Sequence, residues 1–223
     1  MPGYYDSFLS AKRLELVYQL APPRVRQYLD AEIAFVLDRI KPSDSVIELG
    51  CGYGRVLGRL ESNVMSITGV DSSYASLKAG SISLANTPGL HLALMNAVSL
   101  GFKDKSFDKI LCIQNGISAF HVDPLSLIRE SVRITRPGGS ALFSSYSDKF
   151  WDDRLAWFRV QSKHGLVGEI DWSATHDGEI VCKDGFCGTT FRPDDFARFA
   201  AQIGLPCTIT EVDNSSVFCE FIV

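Results

Sequence analysis

The chain lacks the long apolar runs, basic clusters and leader-like start that mark several classes of protein. No uninterrupted apolar run of about 18 residues occurs, so we expect no membrane span and no membrane partner. The net charge is −4 and no Lys/Arg stripe stands out, so nucleic acid is not an expected partner. Residues 1–6 contain no basic segment followed by an apolar one, which predicts a cytoplasmic protein without a secretory signal.

Closely spaced cysteines are also lacking. The six cysteines are dispersed, and no Cys-x-x-Cys pair occurs. The nearest two, Cys182 and Cys187, have no histidine at a ligand spacing nearby, so we expect reduced core thiols and no metal site. The 46% hydrophobic residues suffice for a sizeable core, and residues 1–223 are predicted to form one domain.

The most informative segment is 46–54, Val-Ile-Glu-Leu-Gly-Cys-Gly-Tyr-Gly. Its β-forming residues predict a buried strand that enters a glycine turn, and Arg55 opens a helix-like segment. Glycine lacks a Cβ, so the backbone of such a turn can approach a ligand closely. An acid, Asp71, follows about twenty residues later. Together these features predict a nucleoside-binding α/β unit.

The order of the glycines separates this turn from dinucleotide-binding turns. A dinucleotide fingerprint is Gly-x-Gly-x-x-Gly, whereas here Gly50, Gly52 and Gly54 alternate and Arg55 follows. Glu48, two residues before the first glycine, suits an ammonium group better than a phosphate. An NAD-dependent oxidoreductase is therefore a disfavoured alternative, and no Gly-Lys-(Ser/Thr) follows to make a phosphate loop.

Strands and helices alternate along the chain, which predicts a parallel, doubly wound sheet. Strands are predicted over 46–49, 66–71, 90–94, 107–114 and 140–145, and helices over 11–40, 73–86, 123–133, 151–160 and 193–203. The helical pattern of 11–40 is interrupted at Pro22-Pro23, where a second helix can begin. Ligands of such sheets lie at the carboxyl ends of the strands, where Glu48, Asp71, Asn96 and Gln114 are expected.

The alternation stops after the fifth strand. Short antiparallel strands are predicted over 166–173, 179–183 and 186–191, separated by His176-Asp-Gly and Lys183-Asp-Gly turns. The organisation we expect is a helical N-terminal cap (1–41), a core (42–147), a β-rich insertion that acts as a lid over the acceptor (148–190), and core completion by an antiparallel pair (191–223).

Five motifs in register resemble those of class I S-adenosylmethionine (SAM)-dependent methyltransferases of the small-molecule type. They lie at residues 46–54, 69–71, 96–97, 106–111 and 133–139. The resemblance implies a Rossmann-like sheet of seven strands with a final antiparallel strand. It also implies SAM as cofactor, S-adenosylhomocysteine as product, and no metal.

The resemblance further implies a set of cofactor-binding residues. Asp71 matches the acid that binds the ribose hydroxyls, and Asn96-Ala97 holds the usual Asp-Ala position beside the adenine. Asn96 departs from the common aspartate, but its carboxamide oxygen can still accept a hydrogen bond. The full set is Glu48, Gly50, Cys51, Gly52, Gly54, Asp71, Ser72, Asn96, Ala97 and Gln114, with Tyr4 and Tyr5 folded over the cofactor.

Residues for catalysis and for the acceptor are less clearly marked. His121, after the fourth strand, is the candidate base, or else it shapes the site. Candidates for acceptor binding are Asn115, Trp151, His164 and Trp172. The function predicted is methyl transfer to a small-molecule acceptor by in-line displacement. The alternatives are a protein or RNA methyltransferase and a non-catalytic SAM-binding subunit. The sequence leaves open O-, N-, S- or C-methylation and a monomer or a homodimer.

Overall fold

A seven-stranded sheet forms the centre of the molecule. The structure is a computed structural model that describes residues 3–223, apart from the side chains of residues 6 and 7. Its strands are β1 (Ser45–Leu49), β2 (Ser66–Asp71), β3 (Leu90–Leu94), β4 (Phe107–Cys112), β5 (Thr135–Tyr146), β6 (Ile180–Val181), β7 (Cys187–Gly188), β8 (Cys207–Val212) and β9 (Ser216–Ile222). Strands β6 and β7 pair apart from the main sheet, whose order is β3-β2-β1-β4-β5-β9-β8.

The direction of the strands follows the predicted fold class. Strands β1 to β5 pair in parallel, and β9 pairs antiparallel with both β5 and β8. Every residue of β1 is buried, as expected for a central parallel strand covered on both faces. The order reverses between β1 and β4, which creates a crevice at their carboxyl ends. The Rossmann-like sheet with an antiparallel strand is confirmed.

Helices flank the sheet and also precede it. They are α1 (Tyr4–Ser7), α2 (Lys12–Gln19), α3 (Pro23–Leu37), α4 (Leu57–Leu60), α5 (Tyr74–Ser83), α6 (Gly116–Ala119), α7 (Pro124–Ile134), α8 (Trp151–Lys163) and α9 (Pro193–Ile203). Proline begins α3, α7 and α9, a position where it costs no helical hydrogen bond. Asp123 caps α7 by accepting the Ser126 N–H at 2.9 Å. Within residues 3–223, no helix combines the length and the apolar character needed to span a membrane.

Several element boundaries differ from those predicted. Strand β4 ends at Cys112, two residues early, because Gln114 and Asn115 both adopt left-handed backbone conformations. Strand β5 begins at Thr135 rather than at 140, so the Arg-Pro-Gly-Gly segment is part of the strand. Helix α5 ends at Ser83 instead of 86.

The insertion contains much less strand than expected. Of the three predicted strands, 166–173 makes only an isolated bridge between Ile170 and Cys182, and the other two shrink to β6 and β7. The prediction of a β-rich insertion is therefore wrong in detail, and its longest element is the 13-residue helix α8. The His176-Asp-Gly turn does form, with a bridge between His176 and Glu179.

One buried arginine holds the insertion together. Arg154 on α8 is 1% exposed, and its guanidinium lies 4.3 Å from the centre of the Tyr146 ring. It donates to the Gly178 carbonyl at 2.8 Å, the Gly188 carbonyl at 2.7 Å and the Thr190 hydroxyl at 2.8 Å. One side chain thus adds hydrogen bonds to two backbone carbonyls beside β6 and β7, which supplements the few bonds of so short a hairpin.

The N-terminal helices pack against this insertion. The Tyr4 hydroxyl donates to Asp184 at 2.7 Å, and the Tyr4 ring lies 5.3 Å from Phe186. Arg13 donates to the Gly165 carbonyl at 2.6 Å. Trp157 of α8 donates to the Val17 carbonyl at 3.2 Å. The insertion therefore supports α1 and α2, which lie between it and the carboxyl end of the sheet.

Replacing Arg154 by methionine should lower the free energy of unfolding by about 3–5 kcal/mol, because two buried carbonyl groups and the Thr190 hydroxyl each lose a hydrogen bond from a charged donor. Denaturant unfolding followed by circular dichroism measures this change. Arg159→Met is the matched control, since Arg159 lies on the same helix, is exposed and stacks on Trp172 at 4.9 Å. The control should cost less than about 1 kcal/mol. Equal losses in the two variants would contradict the assigned role of Arg154.

Candidate active site

A cavity of about 460 Å³ opens at the carboxyl ends of β1, β2 and β4, where the strand order reverses. Its size falls within the range of small-molecule sites. The lining comes from the N-terminal helices, the glycine turn and the segments that follow β2, β3 and β4. The lining includes Tyr4, Tyr5, Leu14, Tyr18, Glu48, Gly50, Cys51, Gly52, Arg55, Asp71, Ser72, Asn96, Ala97, Gln114, Phe120 and His121.

Backbone hydrogen bonds to β2 and the conformations of its glycines shape the turn after β1. The Gly50 and Cys51 N–H groups both donate to the Val70 carbonyl of β2, at 2.8 and 3.0 Å. Gly50 has φ 73° and Gly52 has φ 55°, backbone conformations that residues other than glycine rarely adopt. A Cβ on Gly50 would lie 2.4 Å from the Phe120 ring. The turn thus needs glycine for its conformation and for the close approach of Phe120.

Asp71 connects the end of β2 to this turn. Its carboxylate accepts the Gly52 N–H at 2.7 Å and the Ser73 N–H at 2.8 Å. Each carboxylate oxygen has more than one acceptor position, so the group can still accept hydroxyl donors from a ligand. Asp71 therefore fixes the turn and faces the cavity at the same time.

Asn96 and Ala97 line the cavity beyond β3, as predicted for the adenine end. The Asn96 side-chain oxygen accepts the Val98 N–H at 3.1 Å. This local turn is typical of asparagine and sets the direction of the carboxamide. Ser72 also lines the cavity, between Asp71 and the capping residue of α5.

Two ionisable side chains at the glycine turn dominate the electrostatics of the cavity. Glu48 is buried, and burial raises its pKa from 4.5 to about 8, against the opposing effect of Arg55. The Arg55 guanidinium lies 4.5 Å from the centre of the Tyr18 ring. Within the described chain, Glu48 Oε2 and the Nε and Nη2 atoms of Arg55 have no hydrogen-bond partner. An acid and a base thus face the same cavity without satisfying each other.

The turn that follows β4 is strained. Gln114 has φ 57° and Asn115 has φ 60°, two consecutive left-handed residues that are not glycine. Such residues cost about 1–2 kcal/mol each and persist where the surrounding structure imposes them. Gln114 lines the cavity, and in the part of the chain that is described its Nε2 atom has no hydrogen-bond partner.

Asn115 faces away from the cavity. Its side-chain oxygen accepts the Ser145 hydroxyl at 2.7 Å, and its nitrogen donates to the Thr189 carbonyl at 3.1 Å. The side chain predicted to bind the acceptor instead joins the β4 turn to β5 and to the last residues of the insertion. It does not contribute to the lining.

A buried acid lies beneath this turn. Glu32 of α3 is 0% exposed and accepts the Gln114 N–H at 2.9 Å. The same N–H also lies 2.8 Å from the Ser144 hydroxyl oxygen. Burial raises the Glu32 pKa to about 7, although the hydrogen bonds from Ser144 and Gln114 oppose this shift. The N-terminal cap therefore contacts the site twice, through the lining residues of α1 and α2 and through Glu32 of α3, which bonds to the turn after β4.

Three further predicted residues, His121, Tyr4 and Tyr5, also line the cavity. His121 is exposed, and it has φ 50° in the loop that leads to α7. Its backbone N–H donates to the Ser118 carbonyl at 3.2 Å. Tyr4 and Tyr5 line the cavity from α1. Burial raises the pKa of the Tyr5 hydroxyl, so that group stays neutral at physiological pH.

Four other predicted residues lie away from the cavity. Gly54 lies behind the turn, in a shallow recess between α2, α4 and α5. Trp172 is 56% exposed, and His164 is exposed with its Nδ1 atom 2.8 Å from the Val160 carbonyl. Trp151, at the start of α8, lies near the buried Arg154 guanidinium. No residue of 148–190 contributes to the lining of this cavity.

Arg55, Tyr18 and Glu32 are among the residues at this site that the sequence does not predict to bind a ligand. Arg55 follows the glycine motif, where it indicates only that the turn differs from dinucleotide-binding turns. Tyr18 and Glu32 lie on helices of the N-terminal cap, and no local motif marks them. Across residues 3–223, no group of three or more His, Cys, Asp or Glu is arranged to hold a metal ion. The cavity is a cleft of nucleoside size, with Glu48 and Arg55 beside the glycine turn.

The Rossmann-like sheet of this chain is similar to that of known methyltransferases. Residues 47–143 match a family model described as a methyltransferase domain. A SAM-dependent methyltransferase from Methanosarcina mazei superposes with a TM-score of 0.63 at 17% identity, covering 85% of this chain and 97% of that one. The resemblance inferred from the five motifs is confirmed.

Curated relatives match over part of their length. A 2-methyl-6-phytyl-1,4-hydroquinone methyltransferase from Synechocystis sp. is 26% identical over 68% of this chain and 50% of its own. An arsenite methyltransferase from Aquipseudomonas alcaligenes is 31% identical over 57% of this chain and 40% of its own. The chain thus spans half or less of the length of these two relatives.

The raised pKa of Glu48 predicts how stability depends on pH. A carboxyl whose pKa is raised by folding contributes its stability below the unfolded pKa, near 4.5, and loses it as pH rises through about 8. Glu48→Gln cannot ionise, so it should be more stable than the wild type at pH 9, by about 2–4 kcal/mol. Near pH 4.5 the two should differ little. Unfolding of the ligand-free proteins in denaturant at both pH values measures this.

A stability difference that is the same at both pH values would contradict the buried, unpaired state of Glu48. Asp30→Asn is a control, because Asp30 is exposed and pairs with Arg59 at the surface. Its effect should stay below about 1 kcal/mol at either pH.

Proposed function

We propose that this chain is a SAM-dependent methyltransferase that acts on a small-molecule acceptor. The observation that carries the proposal is the unpaired acid and base, Glu48 and Arg55, that face one cavity beneath the glycine turn. Buried polar atoms without hydrogen-bond partners are costly, so Glu48 Oε2 and the Nε and Nη2 atoms of Arg55 favour a ligand that bonds to both side chains. The methionine end of SAM carries an ammonium and a carboxylate on neighbouring atoms, which is that kind of ligand.

The residues at the glycine turn fit the amino-acid end of this cofactor. Glu48 would accept from the ammonium group, and Arg55 would donate to the carboxylate, held flat by the Tyr18 ring. Gln114 adds an unsatisfied carboxamide nitrogen to the same end. Asp71 would accept the ribose hydroxyls, and Asn96 with Ala97 would contact the adenine, as the motifs imply.

When bound, SAM supplies an activated sulfonium methyl group, so the protein has little bond chemistry of its own to perform. The task of the chain is alignment and exclusion of water. Phe120 on one side and Leu14 on the other press against the glycine turn, where a Cβ on Gly50 or Gly52 would meet them. His121, which is exposed and lines the cavity, would be the residue to take a proton from an acceptor.

The size of the cavity favours a compact acceptor. One space of about 460 Å³ has to take both the nucleoside cofactor and the reacting part of the acceptor. The lid proposed over residues 148–190 acts indirectly, by supporting α1 and α2. A macromolecular acceptor is less compatible with a mouth bordered by these helices. Screening amines, phenols, thiols and arsenite for release of S-adenosylhomocysteine separates an enzyme from a non-catalytic binding subunit.

The test of the proposal compares two ligands. S-adenosylhomocysteine has the amino-acid end, whereas 5′-methylthioadenosine keeps the nucleoside and the sulfur but lacks that end. Arg55→Met should weaken S-adenosylhomocysteine binding about 10- to 100-fold, because a hydrogen bond to a charged group is lost. The affinity for 5′-methylthioadenosine should change less than about twofold. Isothermal titration calorimetry measures both.

Arg59→Met is the matched control. Arg59 lies four residues further along, is half exposed and pairs with Asp30 at 3.0 Å. The control should bind both ligands as the wild type does. Equal weakening of the two ligands by Arg55→Met would contradict the assignment of Arg55, and failure of the folded wild type to bind either ligand would contradict the proposed function.

A further inference from the structure

We propose that Glu32 is a positioning residue, whose carboxylate holds the Gln114 backbone N–H and so determines how the Gln114 carboxamide faces the cavity. The inference rests on the proposed function, because the carboxamide matters there as part of the methionine end of the site. Glu32 does not line the cavity itself and acts through Gln114.

The contact is made where the backbone most needs support. Gln114 and Asn115 are consecutive left-handed residues, and the Gln114 N–H is directed away from the cavity onto Glu32 Oε2 and Ser144 Oγ. A strained turn survives when its surroundings over-determine it. Helix α3 supplies the carboxylate and β5 supplies the hydroxyl, so two elements far apart in sequence fix one amide.

Asn115 fixes the turn from the other direction. Its carboxamide is bonded to the Ser145 hydroxyl and to the Thr189 carbonyl, on the side away from the cavity. The Asn115 side chain is bonded on the side away from the cavity, and the Gln114 N–H is bonded to Glu32. The Gln114 side chain therefore faces the cavity. Across the described chain, the Nε2 atom of that side chain has no hydrogen-bond partner.

The surroundings of Glu32 make it sensitive to pH. Within residues 3–223, no basic side chain lies within ion-pairing distance of it, and its Oε1 atom has no hydrogen-bond partner. The titratable groups that face it come from five elements: Tyr28 of α3, Tyr18 of α2, Arg55 after the glycine turn, Cys112 of β4 and Tyr146 of β5.

Burial keeps the pKa of Glu32 at about 7, so its charge changes within the physiological range. An ionised carboxylate is a stronger acceptor than a neutral carboxyl. The bond to Gln114 should therefore strengthen as the pH rises through 7, while the free carboxyl form holds the turn less firmly.

Nuclear magnetic resonance tests this contact directly. In the wild type, the amide proton of Gln114 should move downfield with a midpoint near pH 7 as Glu32 ionises. In Glu32→Gln, which keeps the size and an acceptor oxygen, this midpoint should disappear. Ser144→Ala removes the other acceptor and a hydroxyl whose hydrogen bond lowers the Glu32 pKa, so the titration should persist with its midpoint moved to higher pH. Asp30→Asn, which removes an exposed charge from the same helix, should leave the titration unchanged.

Affinity for S-adenosylhomocysteine tests the consequence for the site. At pH 8, Glu32→Gln should bind this ligand about three- to tenfold more weakly than the wild type, and at pH 6 the difference should shrink. A purely structural effect would weaken binding equally at both pH values. Absence of any titration of the Gln114 amide in the wild type, or its survival in Glu32→Gln, would overturn the proposal.

Failure of the two proposals can be told apart. If the wild type binds no S-adenosylhomocysteine, the proposed function fails, whereas the amide titration still decides whether Glu32 holds Gln114. If the wild type binds the ligand and the Gln114 amide ignores Glu32, only the positioning role is overturned.

Discussion

Much of the site depends on one electrostatic constraint, which is that Glu48 and Arg55 face the same cavity without an ion pair between them. Glu48 is the second-last residue of the fully buried strand β1, and Arg55 follows the glycine turn after that strand. The low-polarity surroundings that raise the Glu48 pKa also strengthen every interaction with an incoming charge. A zwitterionic ligand end therefore gains at both groups at once.

The N-terminal helices and the insertion support this arrangement. The N-terminal helices cover the cavity, with Tyr18 placed on the Arg55 guanidinium, and the insertion supports those helices from outside. Arg154 in turn organises the insertion through backbone carbonyls. The N-terminal helices and the insertion thus act as one unit, in which the insertion affects the ligand only through α1 and α2.

The parts of the site that could be predicted from sequence are those encoded locally. The order of glycines, the acid before them and Asp71 all lie within about twenty residues, and the turn chemistry leaves few alternatives. Tyr18, Glu32 and the outward direction of Asn115 could not be predicted, because each depends on contacts between segments more than 70 residues apart. The strand-like patterns of the insertion overstated its regular pairing, because its segments are joined by a few backbone hydrogen bonds and by Arg154, which donates to the Gly178 and Gly188 carbonyls.

The most direct test of the central claim is the number of protons exchanged when S-adenosylhomocysteine binds. Glu48 is largely protonated near pH 7 in the free protein and has to be ionised beside an ammonium group. Calorimetric titrations in two buffers of different ionisation enthalpy should therefore show a net release that approaches about one proton at pH 7. Glu48→Gln should release much less. Binding without proton release in the wild type, or with proton uptake, would contradict the account.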